Sequence, residues 1–196
     1  MKLSRQAWTA LRAMLVFTIV LGIIYPATVW VIGLAMPSQS NGSLVTQNGK
    51  VVGSSLIGQS FTDKKGAALP EWFQSRPSAA GDGYDGSASS GSNYGPENKD
   101  LIAAIKARQA AIEKLDGVTK AQIPADAVTA SGSGLDPDIS EAYALLQVPR
   151  VATARGISEN SLRTLVEQHV AGRELGYLGE PTVNVLELNI ALSALS

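Results

Sequence analysis

The sequence predicts an α+β protein: a single N-terminal transmembrane helix followed by one mixed α/β soluble domain. Three observations predict it. Residues 14–36 (MLVFTIVLGIIYPATVWVIGLAM) run for 23 residues without a charge. Downstream, short β-branched runs broken by glycine alternate with stretches of helical period. Finally, 196 residues with 45% apolar content suffice for one core besides the span.

The span comes first. At 1.5 Å per residue a 23-residue helix reaches roughly 34 Å, enough for a hydrocarbon core of about 30 Å. Pro26 in its interior breaks a soluble helix but is tolerated in a membrane. A cleaved signal peptide has a shorter apolar region and a small-residue cleavage site, and neither is found here; a buried core helix is the remaining alternative. Lys2, Arg5 and Arg12 precede the span, and only Lys50 lies within about 20 residues after it. The positive-inside rule therefore assigns residues 1–13 to a cytoplasmic tail, 14–36 to the membrane, 37–49 to a polar linker and 50–196 to a domain outside the cytoplasm. Without the three leading cations the outer part holds 13 basic against 17 acidic residues, a net of −4.

In the domain, KVVGSSLIGQSF (50–61) reads as a strand with a bulge or turn, and the proline-bounded PEWFQSRPSA (70–79) as an extended or turn segment packed on the core. Residues 81–95 (GDGYDGSASSGSNYG) hold five glycines and four serines. They read either as a mobile loop or as an ordered one whose glycines admit close backbone approach. Tyr84, Asn93 and Tyr94 favour order. Pro96 suits a first helical position, and Leu101, Ile102, Ile105, Ile112 and Leu115 give a helix over 97–115 ended by Gly117. Residues 122–130 read as extended. A short helix over 140–147 follows, interrupted by Pro149 and restarting to Gly156. Ser158 caps a helix over 159–171. The C-terminal stretch begins as a strand and becomes helical around Glu187.

Near-neutral charge gives no basic surface for nucleic acid. The chain has no cysteine and one histidine, His169, so disulfides, thiolate metal sites and multi-histidine sites are excluded. No phosphate-binding glycine loop or nucleophile elbow occurs. Ser131 and Ser133 lie far in sequence from His169, which reads as a half-buried helix residue. Asp136 and Asp138 lack the further oxygen ligands of a calcium loop and read as turn and capping residues. Arg150 and Arg155 fall near a helix end, where guanidinium complements the helix dipole; phosphate binding is the functional alternative. Asn184 and Asn189, amides in an apolar stretch, read as buried hydrogen-bonded positions.

The segments SLIGQSF, WFQSRPSA, SGSN, IPADAVTASGSGLDPDIS, QVPRVATARG and GEPTVNVLELN together resemble the C subunit of the Kdp potassium-transporting ATPase, from Arg12 to the end of the chain. The most specific runs are TASGSGLDPDIS (129–140) and VNVLELN (183–189). Trp72 departs from the tyrosine more usual before Phe73 and keeps the aromatic character. The resemblance implies a non-catalytic subunit with no intrinsic cofactor. Its implied partners are a potassium-binding channel-like subunit, a P-type ATPase subunit and a small single-span subunit of one potassium-importing complex. Family description also makes this subunit a catalytic chaperone that raises the ATP affinity of the ATPase subunit and contacts the nucleotide. An outer domain cannot meet cytoplasmic ATP, so two roles stand. In the first, the domain sits over the external potassium entrance, with Gly22, Pro26, Ala27 and Gly33 of the span and Tyr84, Asn93 and Asp136 of the domain as partner contacts. In the second, a cytoplasmic domain binds ATP through Arg150, Arg155 and Ser133.

Overall fold

The computed structural model describes residues 2–195; Met1 and Ser196, the outer ends of the tail and domain assigned above, lie outside the described residues. The chain divides into two compact units, Met1–Leu44 and Val45–Ser196. The expected α+β architecture is found.

The first unit is helical: α1 (Lys2–Ile19), a π-helical turn (Val20–Ile24), α2 (Tyr25–Ala35) and the single turn α3 (Pro37–Ser40). Helix thus starts well inside the predicted tail, whose residues are mostly good helix formers. The π turn has a local cause. Pro26 carries no N–H and its ring crowds the carbonyl four residues back. The Tyr25 N–H closes onto the Val20 carbonyl instead, one residue farther than in an α-helix. The Thr28 hydroxyl bonds the Ile24 carbonyl at 2.8 Å. The stretch Leu3–Ala35 is 33 residues long, has a mean hydropathy of 2.3 over its most apolar window, and is long and apolar enough to cross a membrane.

The linker assignment is corrected in part. Residues 37–49 contain α3 and a strand, β1 (Leu44–Gln47), which pairs with β2 (Lys50–Ser54). Asn48 and Gly49 both have positive φ, 51° and 76°. That is the turn an Asn-Gly pair favours, because its twist matches that of paired strands.

The second unit is built on α4 (Lys99–Asp116), β3 (Asp138–Ser140), α5 (Glu141–Arg155), α6 (Glu159–Gln168), β4 (Val170–Ala171), β5 (Thr182–Asn184) and α7 (Val185–Ser193). The three short strands form an antiparallel sheet in the order β3-β5-β4, with Ile139 opposite Val183 and Val170 on the other side of Val183. Phe73, Ile139, Val148, Val151, Leu162, Val166, Val183, Leu188 and Leu192 make one core.

Four local expectations are corrected. Helix α4 begins at Lys99, not at Pro96, because the Asn98 side chain accepts the Asp100 N–H at 2.7 Å and so caps it. Residues 122–130 are not extended. They form 3₁₀ turns at Lys120–Gln122 and Ala125–Ala127, the first closed by a Thr119–Gln122 capping box. Pro149 does not interrupt α5. It lies on the exposed side, where water can meet a carbonyl left without its N–H, while Val148, Val151 and Ala152 are buried on the opposite side. Finally, α6 stops at Gln168, because residues 170 and 171 pair with β5.

The segment at 70–79 opens with a turn, where the Trp72 N–H bonds the Leu69 carbonyl, and from Phe73 it takes its hydrogen bonds from side chains. Asn189 on α7 holds Phe73 at both ends, accepting its N–H at 3.0 Å and donating to its carbonyl at 2.9 Å. Gln147 on α5 does the same to Gln74, at 2.6 and 3.2 Å. Asn189→Ala strands both groups of Phe73, each costing ~1–3 kcal/mol when buried, so the expected loss is about 2–5 kcal/mol. Asn184→Ala removes the cap of α7 and the bond its Nδ2 donates to the Ser55 carbonyl, both at part-exposed positions, and should cost about 1–2 kcal/mol. Urea unfolding of the full chain in detergent separates the two, and equal losses would contradict this arrangement.

Candidate functional site

Arg150 lies in the core face of α5 with 9% exposure. Its Nε donates to Asp116 Oδ1 at 2.7 Å, Nη1 to the carbonyls of Pro70 and Trp72 at 2.6 and 2.9 Å, and Nη2 to Gln147 Oε1 at 2.7 Å. Four of its five N–H groups are thus used inside the domain. Asp116, the last residue of α4, is as buried as its partner. Burial raises its carboxyl above the ordinary range, and the hydrogen bond and charge of Arg150 oppose that rise. Arg155, one turn on, places its guanidinium carbon 4.2 Å from the Trp72 ring centre and donates to the Glu71 carbonyl. Both arginines therefore bind the 70–74 segment, a role that helix position alone did not suggest. Ser133 sits elsewhere, in the turn before β3. Its hydroxyl accepts the Leu135 N–H and its carbonyl accepts the Ser90 N–H at 2.9 Å.

The residues around that turn form a second cluster. Two glycine-rich segments meet backbone to backbone here. A Cβ on Gly91 would lie 2.8 Å from the Gly132 carbonyl, and one on Gly134 would lie 2.7 Å from the Ala80 nitrogen. Only glycine permits this approach, so residues 81–95 follow the ordered alternative. Tyr84 caps the cluster. Its hydroxyl donates to the Arg76 carbonyl at 2.6 Å, and burial pushes its pKa up to about 12. Gly58 lets the Tyr84 ring lie against the backbone, and a Cβ there would overlap it. Asp136 pairs with Arg76 at 2.7 Å. It is not a helix cap: the residue that caps α5 is Ser140. Tyr84 and Asp136 thus have intramolecular partners, whereas Asn93 is exposed and bonds only the nearby Gly91 carbonyl.

Asp138 adds an electrostatic feature. Partial burial raises its carboxyl, and the charges of Asp136 and Glu187 raise it further, against hydrogen bonds from Thr182 and Asn184. Among the described residues, no group of three or more acidic or histidine side chains is arranged to hold a metal ion. His169 ends α6, with Nδ1 2.8 Å from the Leu165 carbonyl.

Two surfaces remain open to partners. On the membrane helix, Gly22, Pro26 and Ala27 are exposed, and a Cβ on Gly22 would meet nothing within 4 Å. In the domain, the turn between β4 and β5 projects Leu175 and Tyr177, 79% and 69% exposed, beside Leu178. Paired backbone bonds between Glu174 and Leu178, both 2.9 Å, hold this apolar tip. Sequence reading missed it. The signal was there in LGYLG, three large apolar residues between turn-forming glycines.

The family described as K+-transporting ATPase, c chain, matches residues 7–194. The chain belongs to the KdpC family. Relatives named potassium-transporting ATPase KdpC subunit are 55% identical in Caulobacter vibrioides, over 94% of this chain and 91% of the relative. In Kineococcus radiotolerans the identity is 52%, over 97% and 94%. In Mycobacterium tuberculosis it is 50%, over 98% and 100%. The resemblance read from TASGSGLDPDIS and VNVLELN is met, and the most specific of these runs forms the turn that receives the glycine loop.

Two outcomes follow. Asp116→Ala leaves Arg150 buried without its counter-ion and should cost about 3–5 kcal/mol in urea unfolding. Asp138 has the opposite character. Its folded pKa lies above the unfolded one, so its ionisation destabilises the fold as pH rises through the folded value and has no effect below the unfolded value. Asp138→Asn should therefore gain stability over the parent at pH 7 and lose that advantage at pH 3.

Proposed function

We propose that this KdpC-family chain is a non-catalytic accessory subunit of an ATP-driven potassium importer. It assembles the complex from outside the cytoplasm, over the external potassium entrance. The observation that carries the reading is the flanking charge: Lys2, Arg5 and Arg12 precede the span and Lys50 alone follows closely. Its partners are the potassium-binding channel-like subunit, the P-type ATPase subunit and the small single-span subunit. The membrane helix meets them through Gly22, Pro26, Ala27 and Gly33, since small side chains permit close helix packing in lipid. The domain contributes Asn93 and the Leu175–Tyr177 tip. Potassium is the cargo of the complex, and the subunit requires no cofactor of its own. The location is the plasma membrane, single-pass, with the N-terminus inside.

The second reading, a cytoplasmic domain that raises ATP affinity as a catalytic chaperone, needs Arg150, Arg155 and Ser133 to receive phosphates. Arg150 is engaged with Asp116 and two carbonyls, and its release would leave a buried carboxylate unpaired. That disfavours the second reading.

Topology decides between them. Single cysteines replacing Ser4 and Ser87 give unambiguous labels, because the chain has no cysteine of its own. A membrane-impermeant thiol reagent on intact cells should label position 87 and spare position 4; the reverse pattern would establish the cytoplasmic reading. For the contacts, Leu175→Asp should lower recovery of the assembled complex while leaving the unfolding midpoint of the chain unchanged, because an exposed tip contributes little to the fold. Gly22→Leu and Ala27→Leu should also lower recovery, and an intact complex in all three variants would remove these surfaces from consideration.

A further inference from the structure

A pocket of about 490 Å³ opens in the second unit between α4, the residue 67–74 stretch and the start of α5. Its wall is largely apolar, with Ala68, Ala111, Ile112 and Leu115 among the lining residues. The volume lies in the range of sites for small organic ligands, roughly 300–1,000 Å³.

Two polar groups at the wall have donors to spare. Tyr143 is 4% exposed, and its backbone N–H bonds Ser140, yet its hydroxyl has no hydrogen-bond partner among the described residues. Tyr143 lines the cavity, so its hydroxyl is free to donate to a group that enters it. Arg108 is the second. It bonds the Val128 carbonyl at 2.8 Å through Nη1, and no carboxylate pairs with it among the described residues. Arg108 is half-buried, and burial lowers its pKa while Tyr94 opposes that. Lys114 adds a second positive charge to the lining, and no acidic residue lines the pocket.

We propose that this pocket binds a monoanionic amphiphile of the fatty-acid class. The alkyl chain lies on the alanine, isoleucine and leucine wall, and the carboxylate accepts hydrogen bonds from the Tyr143 hydroxyl and the Arg108 guanidinium. The apolar wall alone would accept any hydrophobe. The Arg108 charge selects a carboxylate over an alcohol, because a charge-assisted bond is worth more than a neutral one.

The test uses the full chain in neutral maltoside detergent and a decanoate carrying a diazirine on its alkyl chain. Adducts are located by peptide mass spectrometry after irradiation. The expected adducts fall on residues 67–68 and 108–115, are displaced by excess decanoate and are not displaced by decanol. Arg108→Gln should reduce them about tenfold or more, the factor expected for one charge-assisted bond. Tyr143→Phe should reduce them several-fold. Ala111→Trp, which fills the cavity, should abolish them, and circular dichroism on each variant checks the fold. Adducts confined to the membrane helix, equal competition by decanol, or unchanged labelling of Arg108→Gln would overturn the proposal. So would an Ala111→Trp chain that labels normally. Absence of pocket labelling together with failure of the Ala111→Trp chain to assemble with its partners would make the cavity a protein contact instead.

Discussion

The second unit depends on one constraint: the segment from Pro70 to Gln74 carries its backbone from an exposed turn into the interior at Phe73 and Gln74 without a neighbouring strand. A buried backbone must have its N–H and C=O groups bonded. Here side chains from two helices do what a sheet would do. Asn189 and Gln147 each offer a carbonyl and an amino group to one residue of the segment, and Arg150 takes two further carbonyls. Four polar side chains, Gln74, Gln147, Arg150 and Asn189, are consequently buried in an otherwise apolar core. This also explains the Arg150–Asp116 pair. A guanidinium required for two carbonyls brings its charge into the core, and the last carboxylate of α4 neutralises it. Helices α4, α5 and α7 are thereby tied to one segment, and Phe73 is held at zero exposure at their meeting point.

The same logic of close backbone approach recurs in the glycine-rich half of the domain. Gly58, Gly91 and Gly134 occupy positions where a methyl group would meet backbone or the Tyr84 ring. A stretch that composition describes as a flexible linker is therefore a packed surface. It is pinned by Tyr84 and by hydrogen bonds from Ser89 and Ser90 to the Ser133 carbonyl. Rigidity here suits the assembly role proposed above, because an interface presented in one conformation loses less entropy on docking. The first unit has a different economy. Its side chains are exposed along the helix, as expected for a segment that requires lipid or partner helices to cover it.

Much of this was legible in advance. A charge-free run of 23 residues predicts a membrane-length helix, because a helix of that length covers the hydrocarbon thickness. Helices α4 and α6 were recognisable from apolar spacing, and the ends at Gly117 and Gly156 from glycine, which adopts the positive φ of 67° and 69° found there. The hairpin at Asn48-Gly49 was equally legible and was passed over in favour of a linker. The candidate contacts were less legible. Asp136 before a proline reads as a turn residue, and only the fold brings Arg76 to it across 60 residues.

The sequence by itself determined the class, the anchor and the family, because these rest on local composition and on runs such as TASGSGLDPDIS that survive without reference to neighbours in space. Tertiary structure alone decided the course of α5 through Pro149. The proline's lost hydrogen bond is outweighed when Val148 and Val151 are buried on the opposite face. It alone decided that Arg150 serves the fold, since its partners lie 34, 78 and 80 residues away. It also left Tyr143 and Arg108 facing one cavity. Hydrogen-bond satisfaction and burial are properties of positions in space, and a chain read in order shows which groups need partners without showing which will find them.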